Sequence, residues 1–247
     1  MKEVILNSRG EVLDYSHSAR GASQRKSDWL VILGHGVTGN KNRPLIVDTE
    51  NALNKEGFDT LRFSFSGNGE SGGRFEESTI TKEVDDLKSV IGVARKHYDR
   101  ICYIGHSMGA AVGVISAVQI EGIDCLVSLA GMVETRVFAQ TEFGEIEPGN
   151  GVMWEEESCP LSKVFMDDLC EKIESTRPFV EEVTQPWLLV HGTADDVVLV
   201  DDTRSVLDTK GDGVSVVFVE GADHSFSEPK HKEEALSTVV NWIGKRA

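Results

Sequence analysis

Cysteine and positive charge are both scarce in this sequence. The 247 residues include four cysteines with no C-x-x-C pair, so we expect reduced, mostly buried thiols and no metal site. The 25 Lys and Arg residues are outnumbered by 41 Asp and Glu, which gives a net charge of −16. Nucleic acids and anionic membrane surfaces bind basic clusters, so neither is an expected partner. Because reduced thiols are typical of cytosolic proteins, we expect a cytoplasmic protein.

The sequence also lacks a clear membrane-spanning segment. Residues 101–119 include no Asp, Glu, Lys or Arg and approach the length of a transmembrane helix. They contain three glycines, His106 and Ser107, which a strand, a tight turn and a buried helix explain better. At this length one domain spanning 1–247 is expected.

Short apolar runs alternate with amphipathic stretches along most of the chain. The clearest helix is 79–98, where apolar residues recur every three or four positions. Such alternation predicts an α/β fold, with a mainly parallel eight-stranded sheet and helices on both faces. The predicted strands are 4–6 and 12–17, which form a hairpin, then 29–33, 59–65, 100–104, 123–129, 187–190 and 214–219.

The segment 132–182 does not fit this alternation. It is rich in Glu, has weak periodicity and is, at about fifty residues, too long for a plain connection in a compact domain. We interpret it as a small cap inserted between two core strands. Its aromatic residues either line a substrate pocket or form the core of the cap. Phe138, Phe143 and Trp154 are the candidates for substrate contact.

A G-x-S-x-G pattern, GHSMG at 105–109, surrounds Ser107. It lies between the strand 100–104 and a helix of small residues. A serine in a tight strand-to-helix turn needs these glycines, because side chains there would collide with the crossing backbone. The turn presents the hydroxyl above the sheet, at a helix N-terminus that favours negative charge. Ser107 is therefore the candidate nucleophile.

A serine hydroxyl needs a base to take its proton, and the base needs an acid to orient it. Two later loops, HGTAD at 191–195 and GADH at 221–224, follow predicted strands. Both lie at the C-terminal ends of strands, where sites in open α/β sheets lie. His224 is the predicted base and Asp195 the predicted acid, with Asp196 as the alternative acid.

An oxyanion needs preorganised donors. One is predicted to be the N–H of Met108, the residue after the nucleophile. The other is assigned to Val37, in the glycine-rich loop after strand 29–33. His35 in that loop is expected to hold the loop in shape, and His106 to pack beside the serine turn. His231 is expected on the surface of the last helix.

Six segments together resemble the α/β-hydrolase superfamily and, within it, the small bacterial cinnamoyl- and feruloyl-esterase-like group. They are HGVTGNK (35–41), RFSFSGNGES (62–71), GHSMG (105–109), CPLSKVFMDDL (159–169), HGTADDVV (191–198) and GADHSF (221–226). The resemblance implies the α/β-hydrolase fold and a small-molecule ester substrate. The chain departs from the family pattern at Ser64, usually Asp, at Leu199, usually Pro, and at Asp223, usually Gly.

We predict a serine carboxylic-ester hydrolase that acts through an acyl-enzyme intermediate on small acyl or aryl esters. A thioesterase or acyltransferase with the same triad is an alternative, and amide cleavage uses the same groups. A non-catalytic binding module on this fold is the alternative from another class. Residues 67–72 also match G-x-G-x-x-G, but the polar loop with two glutamates after them favours a structural turn and no cofactor.

Overall fold

The centre of the molecule is a twisted sheet whose strands are mostly parallel. A computed structural model describes residues 1, 3–19 and 28–247. The strands in this part of the chain are β1 (Ile5–Leu6), β2 (Val12–Leu13), β3 (Tyr15–Ser18), β4 (Trp29–Gly34), β5 (Asp59–Phe63), β6 (Arg100–His106), β7 (Cys125–Leu129), β8 (Trp187–Gly192) and β9 (Ser215–Val219). The main sheet has the order β3-β5-β4-β6-β7-β8-β9, in which β3 is antiparallel to β5 and the other pairs are parallel.

Helices cover both faces of this sheet, as the alternating pattern predicts. They are α1 (Pro44–Lys55), α2 (Ile80–Ala94), α3 (Met108–Gln119), α4 (Thr135–Phe143), α5 (Lys163–Asp167), α6 (Arg177–Glu182), α7 (Val200–Lys210) and α8 (Pro229–Gly244). Side chains of successive strand residues point to opposite faces. On β4, Ile32 therefore joins the core under α2 and α3, whereas Val31 joins the core under α1 and α8. The predicted α/β class is confirmed.

The strand count differs from the prediction, because the main sheet has seven strands among the described residues instead of eight. The predicted strand 12–17 is two strands. β2 pairs with β1 in a separate two-stranded sheet, and β3 pairs with β5. The change of partner occurs at Asp14, whose N–H donates to Ser71 Oγ at 2.8 Å while its carbonyl accepts from the Ser64 N–H at 2.9 Å.

The uncharged run 101–119 forms β6, a tight turn and α3. Residues 108–117 of α3 are all buried, which explains why the run contains no charged side chain. No helix in the described ranges is both long enough and apolar enough to cross a membrane.

Residues 132–182, the segment predicted to form a cap, lie between β7 and β8. They contain α4, α5, one π-helical stretch (Asp168–Ile173) and α6. Asp202 on α7 accepts hydrogen bonds from the N–H groups of Val133 (2.6 Å) and Glu134 (3.1 Å) at the start of the segment. Asp168 within it accepts from the N–H and hydroxyl of Thr81 on α2. These contacts fix the segment on the α2 face of the sheet.

The four cysteines are free, and Cys102, Cys125 and Cys159 are buried. Cys102 and Cys125 are register partners on β6 and β7. Burial in this apolar layer raises the pKa of the Cys102 thiol well above its ordinary value. The thiol is therefore protonated at neutral pH and packs as a small apolar side chain.

Candidate active site

Ser107 occupies a strained turn between β6 and α3. Its backbone has φ 55° and ψ −122°, a conformation that non-glycine residues rarely adopt. A Cβ at Gly105 would lie 2.3 Å from the Gly109 carbonyl oxygen, and one at Gly109 would lie 2.4 Å from the His35 carbonyl oxygen. The Ser107 N–H donates to the Leu129 carbonyl oxygen at 3.0 Å. Both glycines are therefore required by close backbone approach, as the G-x-S-x-G pattern predicts.

Alanine at position 109 is expected to destabilise the protein by about 3 kcal/mol, because the contacting atom is backbone and cannot move aside alone. Thermal unfolding measures this loss. Gly92→Ala is the matched control. Gly92 is exposed on α2 with nothing within 4 Å of an added Cβ, so alanine there should raise stability slightly. Equal melting temperatures for Gly109→Ala and wild type would contradict this explanation of the turn.

Asp195 and His224 are in direct contact. His224 Nδ1–H donates to Asp195 Oδ2 at 2.8 Å, and Asp195 Oδ1 accepts from the N–H groups of Val197 (3.0 Å) and Val198 (2.9 Å). Burial opposes ionisation of the carboxyl, but hydrogen bonds from His191, His224 and Val198 outweigh it and hold the pKa of Asp195 well below its ordinary value. Asp196, the alternative acid, is exposed. The structure therefore places an ionised Asp195 against the predicted base.

Further contacts of His191 hold the Asp195 loop in shape, and one hydrogen bond of Thr193 joins it to the loop of His224. His191 Nε2 lies 3.2 Å from Asp195 Oδ2 and 2.9 Å from the Val198 carbonyl oxygen. The Thr193 hydroxyl accepts from the Gly221 N–H at 2.8 Å, just before His224 along the chain. Sequence reasoning missed both side chains, although the HGTAD segment contains them.

His106 supports the backbone of His224. Its Nε2–H donates to the His224 carbonyl oxygen at 3.0 Å, and the two rings lie 4.8 Å apart. Burial and the neighbouring His224 lower the pKa of His106 to about 3, so the ring is neutral at physiological pH. The interpretation that His106 packs beside the turn agrees with this position. The expectation for His231 was wrong, because that side chain is buried, with 5% exposure.

His35 holds the loop that contains Val37. Its Nδ1–H donates to the Gly36 carbonyl oxygen at 2.9 Å, and its Nε2 accepts from the Phe65 N–H at 3.0 Å. Burial lowers the pKa of His35 to about 4, which keeps it neutral and able to accept. A Cβ at Gly36 would lie 2.8 Å from the Ser107 Cβ, so this loop passes directly beside the serine.

The two predicted oxyanion donors belong to the residue after Ser107 and to the residue after Gly36. The Met108 N–H is in the first turn of α3, where helical N–H groups have no intrahelical acceptor. The Val37 N–H donates to no acceptor in the described part of the chain. Val37 and Met108 therefore stay the predicted oxyanion donors.

Ser107 and His224 line one cavity of about 640 Å³, together with Val37, Arg43 and Trp154. The Ser107 hydroxyl makes no hydrogen bond within the described ranges, including to His224, and the residue is 4% exposed. Hydrogen bonds between catalytic groups are often long without substrate and shorten when it binds. Within the described ranges, no three His, Cys, Asp or Glu side chains are grouped to hold a metal ion.

Of the three aromatic residues predicted to contact substrate, the structure places Trp154 at the cavity. Trp154 is 43% exposed and donates its indole N–H to Glu142 Oε2 at 2.7 Å. Phe138 and Phe143 are buried beneath it, with their ring centres 6.3 and 5.0 Å from the Trp154 ring. They form the apolar core of the inserted segment with Phe165, because stacking on one another removes their rings from water.

The three departures from the family pattern leave the site intact. Ser64 Oγ accepts from the Lys41 N–H at 3.1 Å. Asp223 Oδ1 accepts from the Ser225 N–H (3.2 Å) and the Ser227 N–H (2.8 Å), which shapes the turn after His224. Leu199 is exposed.

Comparison with known proteins supports the fold described above. A sequence model of the family described as Serine aminopeptidase, S33, matches residues 25–147. The fold is similar to that of Est1E from Butyrivibrio proteoclasticus with ferulic acid bound, with a TM-score of 0.84, 23% identity and coverage of 98% of this chain and 97% of that one. The chain therefore has the α/β-hydrolase fold, as the resemblance of its sequence motifs implies.

Other relatives of this α/β hydrolase are more distant or cover less of it. A monoacylglycerol lipase from Paleococcus ferrophilus is similar in fold, with a TM-score of 0.77, 20% identity and coverage of 95% of this chain and 99% of that one. An uncharacterized 31.7 kDa protein from the traX-finO intergenic region of Escherichia coli is 32% identical over 122 residues. The matched part is 48% of this chain and 42% of that protein, so the chain spans less than half the length of this curated relative.

Proposed function

We propose that this α/β hydrolase is a serine carboxylic-ester hydrolase with Ser107, His224 and Asp195 as its catalytic triad. The observation that carries the proposal is the 2.8 Å hydrogen bond from His224 to the ionised Asp195, at a cavity that both His224 and Ser107 line. An imidazole fixed in this way by a carboxylate is the group that activates a serine hydroxyl.

In the proposed reaction, His224 Nε2 takes the Ser107 proton as Oγ attacks the ester carbonyl. Asp195 holds the imidazole in the tautomer that can accept this proton and stabilises the imidazolium that forms. The N–H groups of Val37 and Met108 bind the developing oxyanion. His224 then protonates the departing alcohol, which leaves an acyl group on Ser107. Water activated by His224 hydrolyses this acyl-enzyme and regenerates the serine.

The lining of the cavity favours an ester over a peptide with a free N-terminus. An aminopeptidase must bind a free ammonium group, which is best compensated by a carboxylate within hydrogen-bonding reach. None of the residues that line the cavity is Asp or Glu. The name of the matched S33 family therefore does not define the substrate of this chain.

The inserted segment contributes Trp154 to the cavity wall, so we propose that it acts as a cap over small acyl or aryl groups. An exposed indole offers a flat apolar surface at low entropic cost. The relative with ferulic acid bound shows that this fold can accommodate an aryl acid.

A substrate panel tests the proposed function. It includes p-nitrophenyl acetate and butyrate, a methyl hydroxycinnamate, an acyl-CoA thioester and an aminoacyl p-nitroanilide. We expect the oxygen esters to give the highest kcat/KM and the anilide to give none above background. A thioester preference would favour the thioesterase alternative, whereas no turnover of any substrate would favour a binding module.

A further inference from the structure

The charge of the catalytic cavity is opposite to that of the whole protein. The chain has 41 acidic and 25 basic residues. The cavity, however, is lined by Arg43 and Lys232 and by no Asp or Glu. A cavity of one charge sign, set in low-dielectric walls, concentrates ligands of the opposite sign.

Among the described residues that line this cavity, Arg43 is the cation with no carboxylate partner. Lys232 is neutralised by Asp48, with Nζ 2.8 Å from Oδ2. Arg43 has no carboxylate within 4 Å among the described residues, and residues 2 and 20–27 contain no Asp or Glu. A bound anion would therefore meet a guanidinium that no neighbouring carboxylate of the described residues neutralises.

The position of Arg43 relative to Ser107 is fixed through the loop that carries the oxyanion donor. Arg43 Nη2 donates to the carbonyl oxygen (3.0 Å) and to Oγ1 (3.2 Å) of Thr38, the residue after Val37. Nη1 and Nε make no hydrogen bond within the described ranges and remain available to a ligand. Arg43 also precedes Pro44 and Leu45, which line the same wall of the cavity. The guanidinium is thus held in place through Nη2, while Nη1 and Nε can donate hydrogen bonds to a ligand.

We propose that the site takes esters that carry a second, anionic group, a carboxylate or a phosphate, and that Arg43 binds this group. The proposal rests on the proposed esterase function and defines its substrate class. A guanidinium binds both kinds of oxyanion through paired N–H donors, which a neutral polar group cannot reproduce. Since Arg43 is exposed at the cavity rim, we expect a preference of about ten-fold in kcat/KM over a neutral ester of equal length.

Two matched substrate pairs measure this preference and distinguish the two anions. The first compares monomethyl adipate with methyl heptanoate, and the second compares acetylated glycerol phosphate with acetylated glycerol. For at least one pair, wild type should have a higher kcat/KM for the anionic member, mainly because its KM is lower. The ratio of the two kcat/KM values, anionic over neutral, should fall as the salt concentration rises. Arg43→Gln should remove the ratio and Arg43→Lys should keep part of it. Arg204→Gln, an equal charge change on exposed α7 outside the cavity, should leave the ratio unchanged.

A merely structural Arg43 would lower turnover of both members of a pair without changing their ratio. A ratio of one in wild type for both pairs, or a ratio that survives in Arg43→Gln, would overturn the proposal. Calorimetry measures the same contact without turnover. It compares the affinity of Ser107→Ala for adipate and for glycerol phosphate with that of the double variant Ser107→Ala, Arg43→Gln. If neutral esters are hydrolysed through Ser107 with no anionic preference, only this proposal fails. If Ser107→Ala hydrolyses every ester as fast as wild type, the proposed function fails instead.

Discussion

Replacing Ser107 with alanine is expected to lower kcat for p-nitrophenyl butyrate by about 10⁴- to 10⁶-fold, to the residual rate that substrate binding and the oxyanion donors provide. The loss is this large because the hydroxyl forms the covalent bond to the acyl group and no neighbouring side chain replaces it. The other serines that line the cavity, Ser225 and Ser227, follow His224 in its loop and do not lie in the strained turn. Initial rates with purified variants, checked for folding by circular dichroism, give the comparison.

Ser237→Ala is the matched control for this substitution. Ser237 is exposed on α8, and among the described residues its hydroxyl bonds only to the Glu234 carbonyl oxygen, at 3.1 Å, in its own helix. Removing its hydroxyl should leave kcat within about two-fold of wild type. A Ser107→Ala protein that retained a tenth of wild-type kcat would contradict the role of Ser107 as nucleophile.

Replacing Asp195 with asparagine is expected to lower kcat by about 10³- to 10⁴-fold. Asparagine has nearly the same shape as aspartate but lacks its negative charge. The imidazolium of His224 then loses its stabilising partner, and an amide N–H facing Nδ1 favours the wrong tautomer. Asp196→Asn, an equal change one residue away at an exposed position, should retain near wild-type activity. Comparable losses for the two variants would contradict the assignment of Asp195 as the acid.

The same substitution has a consequence for stability. The pKa of Asp195 is lower in the folded protein than in the unfolded chain, so its ionisation stabilises the fold above the ordinary pKa of 3.8. This contribution is lost as pH falls below that value and the unfolded chain takes up the proton. The melting temperature of Asp195→Asn should therefore lie furthest below wild type near pH 7, and the gap should narrow on acidification below about pH 4.

The catalytic turn could be predicted from sequence because its glycines flank Ser107 at a fixed, short spacing. The contact that excludes a Cβ at Gly105 lies within the turn, at the Gly109 carbonyl oxygen, whereas the one at Gly109 involves the His35 carbonyl oxygen after β4. The loops of Asp195 and His224 were also predictable, because each follows a predicted strand and parallel strands end at one edge of the sheet.

Other features depend on contacts between distant parts of the chain. The division of 12–17 into two strands results from hydrogen bonds of Asp14 to Ser64 and Ser71. The sequence pattern does not change at Asp14, so it does not reveal the change of pairing partner. Phe138 and Phe143 were predicted to contact substrate. Hydrophobicity alone does not distinguish a ring that lines a cavity from one that packs in a core.

The histidines outside the proposed triad also show what sequence can and cannot predict. His35 was expected to hold its loop and His106 to pack beside the serine turn, because each lies near a predicted catalytic group. The buried position of His231 in α8 was not predicted, because charged neighbours along the helix suggested an exposed face. Burial there depends on how α8 packs against the rest of the molecule, which neighbouring residues in sequence do not reveal.

Covalent labelling by a fluorophosphonate is the sharpest test of whether Ser107 is a nucleophile activated by His224. We expect one adduct per folded chain, located by peptide mass spectrometry on the segment that contains Ser107. We also expect labelling to be slower by orders of magnitude in His224→Ala. An unlabelled wild-type protein, or an adduct that persists in Ser107→Ala, would contradict this role of Ser107.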